Sequence, residues 1–290
     1  MKAVMSLLAL TFILISCASS AEKQTPEQKK AEIFYNHGTN MLVHQKYTDA
    51  LKNLLEAYKL TPEDSKLCNN LGMAYYFKGQ IPTAISFIQK SISLDDKNSD
   101  AKNNLASIYF DQNKLEEALK LYQEVSRDLI YEHQYRVYGN IGLIYQKKGM
   151  NLAAIEHYKL AIKDSIDYCP AYYNLGQLSM QRYDYQGAIT AFKDGVKGSC
   201  FKQPMTHLAL AEAYTKAREY GHAETTLNNI VKHFPNSSWT EKAKQELLQL
   251  RPLLAASKQE NDVDIERAVM LYEQIKEQNS DRKETATPSF

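Results

Sequence analysis

The sequence predicts an all-α fold, a solenoid of stacked helix hairpins, and three observations carry this prediction. Only 11 Gly and 8 Pro are spread over 290 residues, which is too few turn-forming residues for the many reversals of an all-β sandwich or barrel. Helix-favouring Ala, Leu, Lys, Gln and Glu are abundant instead. The third observation is a pattern that recurs about every 34 residues, because a fixed period of that length is typical of repeat proteins.

The first seventeen residues have the pattern of a bacterial lipoprotein signal. Lys2 precedes an apolar run, Ala3 to Ser16, which is shorter than the roughly 20 residues that a helix needs to cross a bilayer. The run ends in Leu14-Ile15-Ser16-Cys17, which resembles the lipobox, and this resemblance implies cleavage before Cys17 and lipidation of its thiol. The alternative is an ordinary signal peptide with an incidental Cys.

A lipidated Cys17 would fix the location of the protein. Two or three acyl chains hold a protein stably on a membrane, and resemblance to enterobacterial sorting implies the outer membrane, because Ala18 rather than Asp follows the Cys. We therefore expect a lipid anchor on the periplasmic face of the outer membrane. The polar stretch 17–30 lacks periodicity and is predicted to be a flexible tether with a reach on the order of 20 Å.

Six units can be aligned on small residues spaced by 34, 34, 36, 34 and 35 residues: Gly38, Gly72, Ala106, Gly142, Gly176 and Ala211. Twelve residues after each of them stands another small residue: Ala50, Ala84, Ala118, Ala154, Ala188 and Ala223. Small residues allow two helices to approach closely, and large residues between them fill the space that remains. The units span 31–64, 65–98, 99–132, 135–168, 169–202 and 204–237.

This pattern resembles the tetratricopeptide repeat, with Leu-Gly at positions 7 and 8, Tyr at 11, Ala at 20, an aromatic at 24 and Pro at 32. The resemblance implies two antiparallel helices, A and B, in each repeat and about twelve helices in the solenoid. Between repeats three and four, His133-Gln134 is inserted, and the preceding Asp128-Leu-Ile-Tyr-Glu lacks the Pro, so a longer, apolar connection is expected. Repeat five has Ser179 and Gly195 at two packing positions, which predicts looser packing there.

The chain after repeat six is predicted to cap the solenoid. Trp239, Ala243 and Leu247 belong to an apolar stripe in 238–275, which fits a helix lying over the last repeat. Arg251-Pro252 is expected to stop or kink this helix, a further helix is expected over 263–275, and the polar tail 276–290 is expected to be disordered.

Composition and motifs argue against catalysis and against nucleic acid as a partner. Lys and Arg number 35 against 34 Asp and Glu, so the formal net charge is only +1 and gives no field for a polyanion. The seven His are scattered, without the spacing of a metal site, and no phosphate-binding Gly-rich loop or serine-nucleophile motif is present. We expect no enzymatic activity, cofactor, metal or small-molecule substrate.

Three cysteines follow Cys17 in the chain. Cys68 occupies a core position of repeat two. Cys169 and Cys200 stand at the entry of helix A and the exit of helix B of repeat five, and an antiparallel hairpin brings these ends together. In an oxidising envelope a disulfide is therefore plausible; the alternative is two separate thiols.

A partner is expected on the concave face, which tetratricopeptide repeats line with positions 2, 5, 9 and 12 of helix A. The family that clamps a C-terminal carboxylate has Lys and Asn at defined positions, of which Asn70 survives here while Tyr35, Thr39, Asp100 and Asn104 replace the others. We expect a groove for an apolar or amphipathic helical segment or for a strand. The alternatives are that the Asn row serves helix–helix hydrogen bonding and that the aromatic and Met side chains serve packing. The predicted groove residues are Tyr35, Asn36, Asn70, Met73, Tyr76, Asn104, Phe110, Asn140, Leu143, Tyr173, Asn174 and Met180.

A lipid-anchored chain of six such repeats resembles the type IV pilus pilotins, the PilF, PilW and Tgl group. The local likeness lies in 128–161, where Leu129-Ile130-Tyr131 and a short link precede Val137-Tyr138-Gly139-Asn140-Ile141-Gly142. The resemblance implies a protein partner, the outer-membrane secretin, whose insertion and multimerisation the protein would promote. The second candidate is a lipoprotein adaptor that scaffolds cell-wall synthases or a periplasmic protease.

Overall fold

The computed structural model describes residues 24–284, so the predicted signal segment 1–16, the lipidation site Cys17 and the end of the tail lie outside the described residues. Within that range the chain forms thirteen α-helices, one 3-10 helix and no strand, and the all-α prediction is confirmed. The first six helices are α1 (Pro26–Val43), α2 (Tyr47–Leu60), α3 (Ser65–Phe77), α4 (Ile81–Leu94), α5 (Ser99–Asp111) and α6 (Leu115–Val125). They are followed by α7 (Gln134–Lys147), α8 (Asn151–Asp164), α9 (Cys169–Gln181), α10 (Tyr185–Asp194), α11 (Pro204–Lys216), α12 (Tyr220–His233) and α13 (Ser238–Glu284).

The helices form two compact units that divide between Ala101 and Lys102. The first unit contains the hairpins α1–α2 and α3–α4, around a core that includes Leu54, Leu67 and Leu71. The second unit contains the remaining hairpins and α13. Odd-numbered helices up to α11 correspond to helix A of each repeat, and the even-numbered helices to helix B.

Each hairpin is held together by the predicted alternation of small and large residues. All six Ala at position 20 are fully buried. A Cβ atom added to Gly38 would lie 2.6 Å from Leu54 Cγ, and one added to Gly142 would lie 2.6 Å from Tyr158 Cε1. The large residue of helix B therefore occupies the space that a side chain on helix A would need, which sets the close helix–helix distance.

The turn inside each hairpin contains one residue in the left-handed region, at the same position in all six repeats. The φ angles are 75° for Gly79 and 72° for Gly149, where glycine adopts this conformation without steric cost. The other four turns use residues with a Cβ atom: Gln45, Asn113, Tyr183 and Arg218. The left-handed conformation is therefore common to all six repeats, although only two of them have glycine at this position.

The first helix begins earlier than the predicted tether allows. Helix α1 starts at Pro26, and Thr25 caps it: the Thr25 hydroxyl accepts from the Gln28 N–H, while the Gln28 side chain accepts from the Thr25 N–H. This reciprocal pair satisfies two exposed donors at a helix start, so residues 26–30 are helical instead of part of a flexible tether. The expected tether is correspondingly shorter.

Repeat five is closed at its base by a disulfide bond between Cys169 and Cys200, whose Cα atoms lie 5.4 Å apart. Cys68 is a buried free thiol, and burial raises its pKa. The packing at Gly195 differs from the looseness that was predicted, because a Cβ atom there would lie 2.7 Å from Tyr172 Cβ. The small residue accommodates a neighbouring ring instead of leaving a gap.

The C-terminal segment forms one helix and not the predicted succession of two helices and a disordered tail. Trp239, Leu247 and Leu250 of α13 pack against the core of repeats five and six, as the capping prediction requires. The helix then continues through Pro252 to Glu284. Proline removes only one backbone hydrogen bond, to the carbonyl four residues earlier, and that residue, Leu248, is exposed, so water can bind the freed oxygen.

Candidate protein-binding face

The predicted groove residues all lie on A helices, and we call the surface that these helices present within each unit the A-helix face. In the first unit, Tyr35, Asn70, Met73 and Tyr76 are half-buried, whereas Asn36 is exposed. In the second unit, all of the predicted residues are half-buried: Asn104, Phe110, Asn140, Leu143, Tyr173, Asn174 and Met180. Each unit therefore presents partly exposed aromatic, aliphatic, Met and Asn side chains on this face.

In the first unit, Asn70 links α3 to α1. Its Nδ2 donates to Thr39 Oγ1 at 3.0 Å and to Tyr35 Oη at 3.3 Å. Because an amide nitrogen carries two hydrogens, both donors of Asn70 are engaged within the protein. Burial, and then the negative charges of Asp64 and Asp100, raise the pKa of Tyr35 above its ordinary value, although the bonds to Thr39 and Asn70 oppose the shift. The phenol is thus neutral and fixed in place.

A cavity of about 760 Å³ opens beside this network in the first unit. Tyr35 and Asn36 line it on α1, together with Glu32, and residues 61–64 of the α2–α3 connection, including Glu63 and Asp64, form its other side. The cavity is polar and acidic at its rim, while the ring of Tyr35 supplies apolar surface. It offers space for a side chain of a bound segment at the N-terminal end of the face.

In the second unit, Asn140 has a similar linking role, with Tyr122 as its partner. Asn140 Nδ2 donates to Tyr122 Oη at 3.0 Å, and the same hydroxyl lies 2.8 Å from Ser107 Oγ. Burial raises the pKa of Tyr122 well above its ordinary value. Asn70 and Asn140 thus form hydrogen bonds between helices, which was the alternative to a role in binding a partner.

Buried Tyr residues at position 24 were missing from the predicted site, although they shape its floor. The Tyr158 hydroxyl donates to Gln146 Oε1 at 2.6 Å, as Tyr122 contacts Ser107 in the preceding repeat. Ser107 and Gln146 occupy groove positions on helix A. Their polar groups are hydrogen-bonded to Tyr hydroxyls of the B helix in the same repeat. The signal available in the sequence was Tyr, and not Leu or Phe, at position 24 of repeats three and four.

Aromatic and aliphatic side chains remain accessible above this floor. Phe110 carries Lys147 Nζ 4.9 Å from its ring centroid, while Tyr173 and Met180 pack partly against the core of repeats five and six. At repeat six the face is partly covered, because Glu246 of α13 lines a small cavity with Leu208 and Glu212 of α11. The accessible part of the face in the second unit therefore lies mainly on α5, α7 and α9.

The chemistry of this face is that of a protein-binding surface. Aromatic rings and Met thioethers provide apolar contact with adaptable shape, and the fixed amides and hydroxyls are already paired. Among residues 24–284, no group of three or more His, Cys, Asp or Glu is arranged to hold a metal ion.

Comparison with known proteins identifies the repeats. The tetratricopeptide-repeat family matches residues 65–98, 99–127 and 135–163. The segments 65–98, 99–127 and 135–163 are tetratricopeptide repeats. Two solved structures share its fold: pilF of Pseudomonas aeruginosa, at a TM-score of 0.64 and 16% identity over 77% of this chain and 100% of that chain, and PilW, a widely conserved type IV pilus biogenesis factor. PilW aligns at a TM-score of 0.64 and 17% identity, over 73% of this chain and 97% of that chain.

Two proteins of different function are similar to this chain in sequence. The type IV pilus assembly protein PilF of Pseudomonas aeruginosa is 22% identical over 164 residues, which is 53% of this chain and 65% of PilF. The Hsp70-Hsp90 organizing protein 1 of Glycine max is 29% identical over 112 residues, which is 37% of this chain but only 20% of that protein. The chain thus spans about a fifth of the plant protein and two thirds of PilF.

Proposed function

We propose that this protein is a pilotin: an outer-membrane-anchored scaffold that binds the secretin of a type IV pilus and promotes its multimerisation. The observation that carries the proposal is the repeat architecture itself, which extends over most of the chain in the same fold as pilF and PilW. The sequence likeness to PilF, over about half of this chain, supports the same pathway. A tetratricopeptide-repeat chain implies a protein partner in any case.

The mechanism that we propose is stoichiometric binding. The A-helix face holds an apolar or amphipathic segment of a secretin subunit, because its half-buried rings and Met side chains offer apolar contact while the amide donors of Asn70 and Asn140 are bonded within the protein. A bound segment is kept from aggregating near the membrane until oligomerisation buries it. No bond is made or broken, so the protein acts without enzymatic activity or a cofactor.

The anchor is part of this proposal. Cys17 would carry the acyl chains, and the protein would depend on them to stay at the membrane, because no helix within residues 24–284 is long and apolar enough to cross one. Replacing Cys17 by Ser should release the protein from the outer-membrane fraction. A variant that stays in that fraction to the same extent would contradict lipid anchoring at this residue.

Deletion of the gene tests the pathway. We expect the denaturant-resistant secretin multimers to be lost from envelopes and twitching motility to stop, with both restored by the wild-type chain. Multimers at normal amounts with intact motility would reject the pilotin function and favour the adaptor of cell-wall synthases or of a periplasmic protease.

The A-helix face is tested with Tyr76→Ala combined with Phe110→Ala, one substitution in each unit. Both side chains are half-buried, so the repeats should keep their far-UV circular dichroism while secretin capture is abolished. Leu152→Ala is the matched control, because Leu152 is a large exposed residue on the B helix α8. Capture that survives the double substitution would move the site away from this face.

A further inference from the structure

The connection between repeats three and four carries the most exposed large apolar side chains of the described chain. Leu129 and Ile130 lie between α6 and α7, and they are 92% and 89% exposed. Isolated exposed apolar residues are common on protein surfaces. Here, two consecutive apolar residues are exposed in the connection that interrupts the regular repeat.

The pair is held rigidly on both sides and is not part of a slack loop. The buried side chain of Gln134 donates from Nε2 to the backbone carbonyls of Asp128 and Val125, the latter at 3.3 Å. The Ile130 N–H donates to Asp128 Oδ1 at 3.3 Å, and the ring of Tyr131 packs against the core. The tip is therefore fixed between two anchored residues, with its side chains directed into solvent.

The same end of the second unit carries a further exposed aliphatic residue. Ile166 is 75% exposed and lies in the next connection, between α8 and α9. The connections contact one another in sequence: the rings of Tyr135 and Tyr168 lie 5.1 Å apart, and Ser199 Oγ donates to Asp167 Oδ1 at 2.6 Å. We call this end, formed by residues 126–135, 165–169 and 195–203, the junction edge.

The charges along the junction edge are of both signs. Three basic residues and three acidic residues lie within it, with no excess that would select a polyanion: Arg127, Lys197, Lys202, Asp128, Glu132 and Asp167. Apolar tips flanked by charges of both signs match the interfacial layer of a bilayer with zwitterionic headgroups, where acyl chains and charged groups meet. A protein partner would instead need a concave surface that fits side chains protruding from two separate connections.

The length of the tether favours a bilayer as the occupant. Because the capping box at Thr25 starts α1 at Pro26, only residues 18–25 separate a lipidated Cys17 from the folded chain, and a segment of this length spans at most roughly 30 Å. A protein held this closely contacts the membrane surface repeatedly, so a modest apolar contribution suffices to orient it.

We propose that the junction edge of the second unit rests on a lipid bilayer, with Leu129, Ile130 and Ile166 inserted into its interfacial layer. The inference rests on the lipid anchor of the proposed function but not on the identity of the partner. In this orientation the helix axes of the second unit are roughly perpendicular to the membrane surface. Its A-helix face then opens sideways along the bilayer, towards a partner segment that is itself at the membrane.

The test uses the full lipidated protein in phosphatidylcholine vesicles whose acyl chains are either brominated or not, since bromine quenches indole fluorescence on contact. Ile130→Trp is compared with Leu152→Trp, because Leu152 is 76% exposed and lies at the opposite end of its hairpin. The parent chain, with Trp239 alone, supplies the background. We expect the emission added by Ile130→Trp to be largely lost in brominated vesicles and that added by Leu152→Trp to be unchanged.

Three other outcomes would overturn the proposal. Vesicle flotation with no quenching at residue 130, or with equal quenching at 130 and 152, would reject the junction edge while leaving the anchor and the pilotin function in place. Failure of the protein to float with vesicles would reject the anchor and this inference with it. Secretin multimerisation, measured separately, reports on the pilotin function alone.

Discussion

At the scale of single residues, the closest contacts of the fold are between glycine on an A helix and a large side chain on the B helix. The ring of Tyr158 occupies the space beside Gly142. Gly142→Val should therefore destabilise the protein by about 1–3 kcal/mol, because an overpacked core forces side chains or backbone to shift. Urea denaturation followed by circular dichroism measures this loss.

Gly221 provides the control, since no atom lies within 4 Å of a Cβ added to it. Gly221→Ala, near the start of α12, should leave stability unchanged or raise it by up to about 1 kcal/mol. Equal losses for the two substitutions would contradict a specific role for the close contact at Gly142.

The left-handed turn residue gives a second prediction at this scale. Tyr183 has a φ of 60° and an exposed side chain, so Tyr183→Gly removes steric strain and little packing. We expect a gain of roughly 0.5–1 kcal/mol in the free energy of unfolding. Gly79→Ala should have the opposite effect, and a destabilised Tyr183→Gly chain would show that the ring contributes more than the strain costs.

The sequence predicts which residues are small and which are large, but it does not predict every polar contact. Position 24 is selected by size, and Leu54, Ile88 and Tyr122 all fit the pattern there. That the Tyr122 hydroxyl also bridges Ser107 and Asn140 depends on how two adjacent repeats are rotated against each other. Such rotations are set by the sum of many contacts and not by a local motif.

At the scale of elements, the disulfide closes repeat five between residues 31 positions apart. Replacing both Cys169 and Cys200 by Ser should lower the free energy of unfolding by about 3 kcal/mol through the larger entropy of the unfolded chain. A reductant should lower the wild-type stability by the same amount and leave the double variant unaffected. A wild-type chain that is insensitive to reductant would contradict a structural role for this bond.

The contact between repeats five and six should make stability depend on pH. His207 is buried with its Nε2 donating to the Phe201 carbonyl at 2.9 Å. Burial, together with the nearby His233, lowers its pKa below the ordinary 6.5, although the bond to Phe201 opposes the shift. The unfolded chain thus takes up the proton at higher pH than the folded chain does.

This stabilisation is complete above the unfolded pKa, and it is lost as the pH falls from there through the lower folded pKa. The free energy of unfolding should consequently be smaller at a pH of about 5 than at about 7.5. His207→Gln should reduce the difference between the two values. The proposed linkage would be disproved by a variant that keeps the full wild-type difference.

The ends of the helices are predicted less accurately by the sequence than the helices themselves. The start of α1 follows from Thr25 and Gln28, a capping box that is visible in the sequence once it is looked for. The continuation of α13 through Pro252 is different. A proline predicts a break, whereas this helix continues where Leu248, the residue whose carbonyl loses its hydrogen bond, is exposed.

At the scale of the whole molecule, the period of 34 residues was sufficient to predict the fold class and the helix count, because each repeat is one hairpin that must stack to bury its apolar face. The predicted site residues lie on the A helices, as the same periodicity requires. The periodicity does not show which of these side chains bond to a neighbouring helix, as Asn70 and Asn140 do.

Photocrosslinking in cells tests whether the A-helix face holds a segment of a secretin subunit. A benzophenone amino acid is placed at Tyr76 of the lipidated full-length protein and, as a control, at Leu152. We expect a secretin crosslink from position 76 and none from position 152. A crosslink of equal yield at both positions, or none at position 76 while secretin multimers still form, would contradict it.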